Sequence, residues 1–228
     1  MELGAPLIEG RFVTRLNRFA ATVEVAGQEE MVHVANSGRM RELLVPGQRV
    51  LVRPVAGEHR KCRYDLALVD LGFTLASADA RLPNALVAEA LAEGRLTQFL
   101  DFPEIRREVT FGESRLDLML TGATGVCYIE TKSVTLVEEG TALFPDSPTS
   151  RGAKHLRTLI QVVEAGHRAA AIFVIQRQDA RDFATYDTAD PEFAAGLIAA
   201  RAAGVEAYAY GCRVTEEEIV LSDPLPFR

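Results

Sequence analysis

The chain has 228 residues, 48% of them hydrophobic and 25% charged, enough for one large soluble domain or two modest ones with a sizeable core. A net charge of −7 excludes a protein coated in positive charge, and no apolar run reaches the length of a membrane-spanning helix. Cys62, Cys127 and Cys212 are far apart, with no zinc-binding or disulfide spacing, and the first residues lack a basic-then-apolar signal segment; free thiols, a cytoplasmic location and no membrane partner are expected.

The charge is unevenly spread. Residues 11–63 hold ten Arg and Lys against five acidic residues, a net of +5, and the remainder is at −12. A local basic surface on an acidic chain suits nucleic-acid contact and equally suits ordinary solvated charge. From Arg11 to about Ala78 the signals are short strands and turns. Thr22–Val25 and Met31–Ala35 flank a hairpin loop at Ala26-Gly27-Gln28, Pro46-Gly47 launches Arg49–Val55, and Leu66–Leu71 alternates before Gly72. Four or five strands in so short a stretch predict a small closed barrel. His33 reads as structural or surface, and His59 and His167 fall in loops without a visible partner.

The pattern changes at Leu82-Pro83-Asn84, which opens a helix over Ala85–Gly94 with Leu86, Ala90 and Leu91 apolar and Glu89 on it. Ile105–Phe111 is a strand. Two further strands surround a turn at Thr121–Gly125. Leu116, Leu118 and Leu120 share one face of the first, with Arg115, Asp117 and Met119 on the other; Val126, Tyr128, Glu130 and Lys132 share a face of the second. Ser133 to Ser150 reads as a long connection. Arg151–Gly166 is an amphipathic helix with Leu156, Leu159, Ile160 and Val163 as its stripe, Lys154, Thr158 and Gln161 opposite, and Arg151 and His155 on its flank. Ala169–Ile175 reads as a buried strand, Pro191–Ala203 as a helix and Glu206–Tyr210 as a final strand.

If the Asp117 and Glu130 strands pair, both carboxylates and Lys132 lie on one sheet face. Hard carboxylate oxygens, with the Thr131 carbonyl, suit a divalent cation; Glu89 could add an outer carboxylate. Lys132 supplies positive charge where a phosphoryl transition state gains negative charge. Taken singly, Asp117 and Lys132 equally form a cross-strand ion pair of small energetic value. Arg151, Lys154 and His155 near a helix start suit phosphate, or simply an exposed helix face. Asn17-Arg18-Phe19 and Asn36-Ser37-Gly38-Arg39-Met40 combine amide, guanidinium and apolar groups, as nucleic-acid contacts do and as turns do.

These blocks, with Pro6-Leu7, Gly10-Arg11, Pro46-Gly47, Arg60-Lys61, Ser114-Arg115-Leu116-Asp117, Glu130-Thr131-Lys132-Ser133-Val134-Thr135-Leu136, Phe144-Pro145-Asp146 and Arg151-Gly152-Ala153-Lys154-His155-Leu156, resemble the sugar fermentation stimulation protein A family over nearly the whole chain. Thr131 stands where the family usually has Val, Arg39 replaces a Ser, and Ala78-Asp79-Ala80-Arg81 replaces a Val-Asn-Thr stretch. The resemblance implies an α/β (α+β) chain: an N-terminal OB-fold-like five-stranded β-barrel over residues 1–78, then a PD-(D/E)XK nuclease-like mixed sheet flanked by helices over 79–228. It implies DNA binding without strong sequence preference, single- or double-stranded, with a homodimer left open. The site expected is catalytic Asp117, Glu130 and Lys132, with Mg²⁺ or Mn²⁺ held by Glu89, Asp117, Glu130 and Thr131. DNA contacts are expected at Arg11, Arg15, Arg18, Phe19, Asn36, Arg39, Lys61, Arg151, Lys154 and His155. Two functions are compatible with this: a metal-dependent DNA nuclease, or a catalytically silent DNA-binding regulator of maltose metabolism that keeps the nuclease fold as a scaffold.

Overall fold

The computed structural model describes residues 1–4, 6–57 and 60–228, so Glu58 and His59 lie outside the described residues. The basic first part folds as β1 (Ile8–Asn17), β2 (Ala20–Val25), β3 (Gln28–His33), β4 (Arg49–Pro54), β5 (Tyr64–Asp70) and β6 (Leu75–Ser77). Ala26 and Gly27, at φ 51° and 79°, form the two-residue turn between β2 and β3, the left-handed backbone that a tight hairpin requires. β1 pairs with β2 and β4, β2 with β3, β4 with β5, and β3 runs parallel to β5, which closes a five-stranded barrel; β6 is appended to β5. Phe12, Val23, Val32, Val50, Val52 and Leu66 fill its interior. His33 is braced by Asp65, with Nδ1 and Oδ1 3.3 Å apart.

Then come α1 (Leu82–Ala92), a 3₁₀ turn at Thr97–Phe99, β7 (Glu104–Phe111), β8 (Ser114–Gly122), β9 (Gly125–Val134), β10 (Val137–Glu138), β11 (Thr141–Phe144), α2 (Ser150–Glu164), β12 (Arg168–Ile175), β13 (Asp182–Thr185), α3 (Pro191–Ala202), β14 (Glu206–Val214) and β15 (Ile219–Leu225). The main sheet has the order β15-β14-β12-β9-β8-β7, with β12 parallel to both β9 and β14. After Arg168, β12 is apolar from Ala169 to Ile175 because both faces are covered. Ala170, Ile172 and Val174 pack toward α1, while Ala171, Phe173 and Ile175 pack toward α2 and α3.

Three expectations change. The stretch from Ser133 to Ser150 is not a plain connection: β10 and β11 form a small sheet with β13. The Glu206 strand is not the last, since β15 returns antiparallel to it. The buried face of α2 is also rotated from the expected stripe. Gly152, Ala153, His155, Leu156, Thr158, Leu159 and Val162 are buried, and the Thr158 and Ser114 hydroxyls lie 2.8 Å apart in that interior. A hydropathy stripe places polar groups outside; here a mutual hydrogen bond offsets their desolvation.

The two parts share one apolar cluster. Leu51, Ala67 and Leu68 of the barrel wall lie with Leu86, Val87 and Phe99 against the main sheet. Further ties are Ser77 N–H to the Gln176 carbonyl at 2.9 Å, and Arg39 and Met40 N–H to Asp146 Oδ2 at 2.6 and 3.2 Å. The first residues, in turn, run along the second part, with Leu3 N–H on the Glu217 carbonyl. Among the described residues, no helix is long and apolar enough to cross a membrane.

Thr158→Val keeps the shape but strands the buried Ser114 hydroxyl, and should cost about 1–3 kcal/mol. Adding Ser114→Ala should recover most of that loss. Urea midpoints of the two single variants and the double variant check this; a double variant as unstable as the sum of the singles contradicts it.

Candidate active site

The site begins where two strands part. β8 and β9 pair from Gly122–Gly125 up to Leu118–Ile129, and beyond that point β9 continues only alongside β12. Leu118 and Leu120 face the α1 core, but Leu116 belongs to the α2 core, so β8 changes faces at Asp117. That departs from the expected single face for all three leucines. On the neighbouring strand, β7 pairs Arg107 with Leu118 and Val109 with Leu116, and Glu108 between them holds a φ of 58°. At this position the Asp117 carboxylate points toward β9. Its Oδ2 accepts the Thr131 N–H at 2.8 Å and the Thr131 hydroxyl at 2.6 Å. Asn84, at the start of α1, donates to the Asp117 carbonyl and Oδ1, both at 3.3 Å, and accepts Arg107 Nε at 2.8 Å.

Glu130 and Lys132 follow two residues apart and lie on the α2 side of the sheet. Glu130 is only 4% exposed and His155 only 5%. The Glu130 Oε1 accepts Lys132 Nζ at 2.6 Å and also meets His155 Nδ1, which lies 3.3 Å from Lys132 Nζ. Arg151 Nε lies 3.4 Å from His155 Nε2, on the edge of the ring away from Glu130. Burial alone would push the Glu130 carboxyl up, but the Lys132 ammonium and the His155 ring outweigh it and hold its pKa below the ordinary carboxylate value. Glu130 is therefore ionised at neutral pH. Its second oxygen, Oε2, is buried and has no hydrogen-bond partner among the described residues. Burial also pushes the Cys127 and Cys212 thiols up to about 12, so neither is a nucleophile at neutral pH.

Asp117, Glu130, Thr131 and Lys132 line a cleft of about 750 Å³ whose opposite wall is the barrel. Of the expected DNA contacts, Arg18, Asn36 and Arg151 reach this cleft, and Arg39 lines the groove that continues from it. Others are placed differently. Glu89 accepts the Met1 ammonium at 3.0 Å and is not among the cleft residues. Arg11 lines a shallow groove with Pro46 and Gly47, Lys61 is exposed and outside the cleft, and Lys154 donates to the Glu113 carbonyl. His155 is buried rather than on the helix flank, because it accompanies Glu130 and Lys132 inward.

Arg15 is not a free cation either. Its guanidinium has five N–H donors, and they reach the carbonyls of Asn17 at 3.2 Å, Arg18 at 2.7 Å, Asn36 at 2.9 Å, Gly38 at 2.7 Å and Arg39 at 2.7 Å. Asn36 is turned inward to accept the Gly38 N–H. Sequence reasoning missed Asn84, Arg107 and Asp146 as site residues. Asn84 and Asp146 did stand in the Leu-Pro-Asn and Phe-Pro-Asp blocks, while Arg107 carried no signal at all.

Residues 13–77 match the family model described as SfsA N-terminal OB domain, and residues 81–218 the one described as sugar fermentation stimulation protein RE domain. The chain is 46% identical to a sugar fermentation stimulation protein homolog of Desulforamulus reducens, covering 96% of this chain and 92% of that one. A homolog from Alkaliphilus metalliredigens is 47% identical, with 96% and 95% covered. The solved structure of Pyrococcus furiosus SfsA in complex with Ca²⁺ superposes with a TM-score of 0.92 at 32% identity, over 100% of this chain and 98% of that one. The chain belongs to the sugar fermentation stimulation protein family.

Proposed function

We propose that the chain is a divalent-metal-dependent DNA nuclease of the PD-(D/E)XK type, with residues 1–78 gripping the strand and 79–228 cutting it without strong sequence preference. The observation that carries this is Glu130 Oε2, a buried carboxylate oxygen without a hydrogen-bond partner among the described residues, in the cleft that Asp117 also lines. A buried carboxylate oxygen left without a hydrogen-bond partner costs about 1–3 kcal/mol or more, and a hard cation would satisfy it. Glu130 Oε2, Asp117 Oδ1 and the Thr131 carbonyl are the oxygens this chain would offer, and hard oxygens of this kind suit Mg²⁺ or Mn²⁺. The Ca²⁺ complex of Pyrococcus furiosus SfsA supports a hard-cation site in this family. When bound, such an ion supplies Lewis-acid polarisation of a phosphoryl oxygen and an acidified water.

The chain's own groups do the rest. Thr131 and Asn84 hold the Asp117 carboxylate in place. His155 and Lys132 hold Glu130 Oε1, which leaves Oε2 directed elsewhere. The Lys132 ammonium can hydrogen-bond the attacked phosphate and stabilise its growing negative charge. Arg18 from the barrel and Arg151 from α2 face the same cleft and can bind the flanking phosphates.

Glu130→Gln should lower metal-stimulated cleavage by about a hundredfold or more, while DNA binding without metal is kept or strengthened because a repulsive charge is gone. Lys132→Ala should also abolish cleavage but leave binding equal or weaker. Cleavage assays with Mg²⁺ or Mn²⁺, paired with metal-free binding, check both; wild type that cuts no DNA under either metal contradicts the nuclease.

The barrel face predicts a second contrast. Arg18→Glu with Arg39→Glu should weaken DNA binding and reduce the slope of log K against log[salt] by roughly 0.7–0.9 per lost phosphate contact. Arg15→Lys keeps the charge but has too few donors for five carbonyls, so it should weaken binding with an unchanged slope. A slope that does not move in the double variant places the phosphates elsewhere.

A further inference from the structure

Beyond the barrel loops, the catalytic cleft runs on into a second groove of about 690 Å³. Arg18, Ser37, Gly38, Ser147 and Pro148 line both, so the two form one path. The groove adds Arg39 and Arg41, and no carboxylate is among its lining residues. Its barrel wall consists of the β1–β2 turn and the loop around residues 36–41. The Arg15 guanidinium bonds to carbonyls of both, and Asp146 fixes the loop from the other side. The wall is therefore set before any ligand arrives.

The turn itself is short. Asn17 pairs with Ala20, which leaves Arg18 and Phe19 as its two central residues. Asn17 Oδ1 accepts the Phe19 N–H at 2.8 Å, an Asx turn that fixes the tip. In β1 an irregularity between Arg15 and Asn17 leaves Leu16 without a partner on β2, which re-aims Arg15 into the loops. Phe19 is 50% exposed. A cation and an exposed aromatic ring at one braced tip match the two parts of a nucleotide, phosphate and base. A base inside a duplex is already stacked on both faces and offers nothing to such a ring. The catalytic carboxylate is also recessed, Glu130 being buried at the cleft floor.

We propose that this groove takes an unpaired DNA strand, with phosphates on Arg18, Arg39 and Arg41 and one base turned out of the groove onto Phe19, which lies next to the groove-lining Arg18 at the turn tip, so that cutting is directed to unpaired segments. The proposal rests on the nuclease function above and specifies its substrate.

The test uses the full chain without metal, an oligothymidylate, and the same oligomer paired with its complement. Wild type should bind the single strand more tightly than the duplex. Phe19→Ala should lose roughly 5- to 150-fold on the single strand, the size of one base–aromatic stack. The chain contains no tryptophan, so Phe19→Trp introduces a single reporter at the tip. That variant should retain single-strand binding, and its fluorescence should be quenched by oligothymidylate and much less by duplex. A Phe19→Ala variant that binds the single strand like wild type overturns the proposal, as does equal quenching by duplex. Wild type that binds neither form overturns the DNA function on which it rests.

Discussion

Where β8 and β9 stop pairing, at Leu118 opposite Ile129, the Thr131 N–H is left without a strand carbonyl and the Asp117 carboxylate takes it. An unpaired buried donor costs about 1–3 kcal/mol, so the parting of the strands is tolerable only because an acidic side chain stands there. The same parting opens the cleft in which Asp117 and Glu130 meet the barrel. Structure and proposed chemistry thus depend on one residue: Asp117 satisfies the Thr131 backbone with one oxygen, and its other oxygen accepts Asn84, which lines the same cleft.

The same device recurs across the molecule. Asp146 takes the Arg39 and Met40 N–H groups, and Arg15 satisfies five carbonyls with its five donors. In each case a carboxyl or guanidinium side chain saturates backbone that has no ladder partner, and charge-assisted bonds are roughly twice as strong as neutral ones. The loops at the cleft are held by these charges as well as by packing, Met40 being buried in the barrel core, in contrast to the apolar run Ala169–Ile175 of β12 behind them. Inside the cleft the balance is tighter. Glu130 is held by Lys132 and His155, and removing one partner of such a buried pair typically costs about 3–5 kcal/mol.

Much of this was legible in the sequence because periodicity reports burial. The alternation in β8 and β9, the apolar run of β12 and the Ala-Gly turn marked the sheet and barrel, and the strand positions of Asp117, Glu130 and Lys132 singled out three residues that line one cleft. What escaped was mostly polar. His155 and Thr158 are buried through specific partners on β9 and β8, which no hydropathy stripe records. Arg15 looks like any basic residue until its carbonyl partners, two of them 23 and 24 residues away, are seen. β15 was hidden by Asp223 and Pro224, which an edge strand tolerates. Glu89 had a helix position resembling a metal ligand's, but the Met1 ammonium occupies it.

The central claim is that Glu130 Oε2 and Asp117 share one cation. Crystals of the wild-type chain soaked in Mn²⁺ should show a single anomalous scattering peak within coordination distance of both carboxylates, and Glu130→Gln crystals treated in the same way should lose it. No peak between Asp117 and Glu130 at millimolar Mn²⁺, or a peak equally strong in Glu130→Gln, would contradict the account.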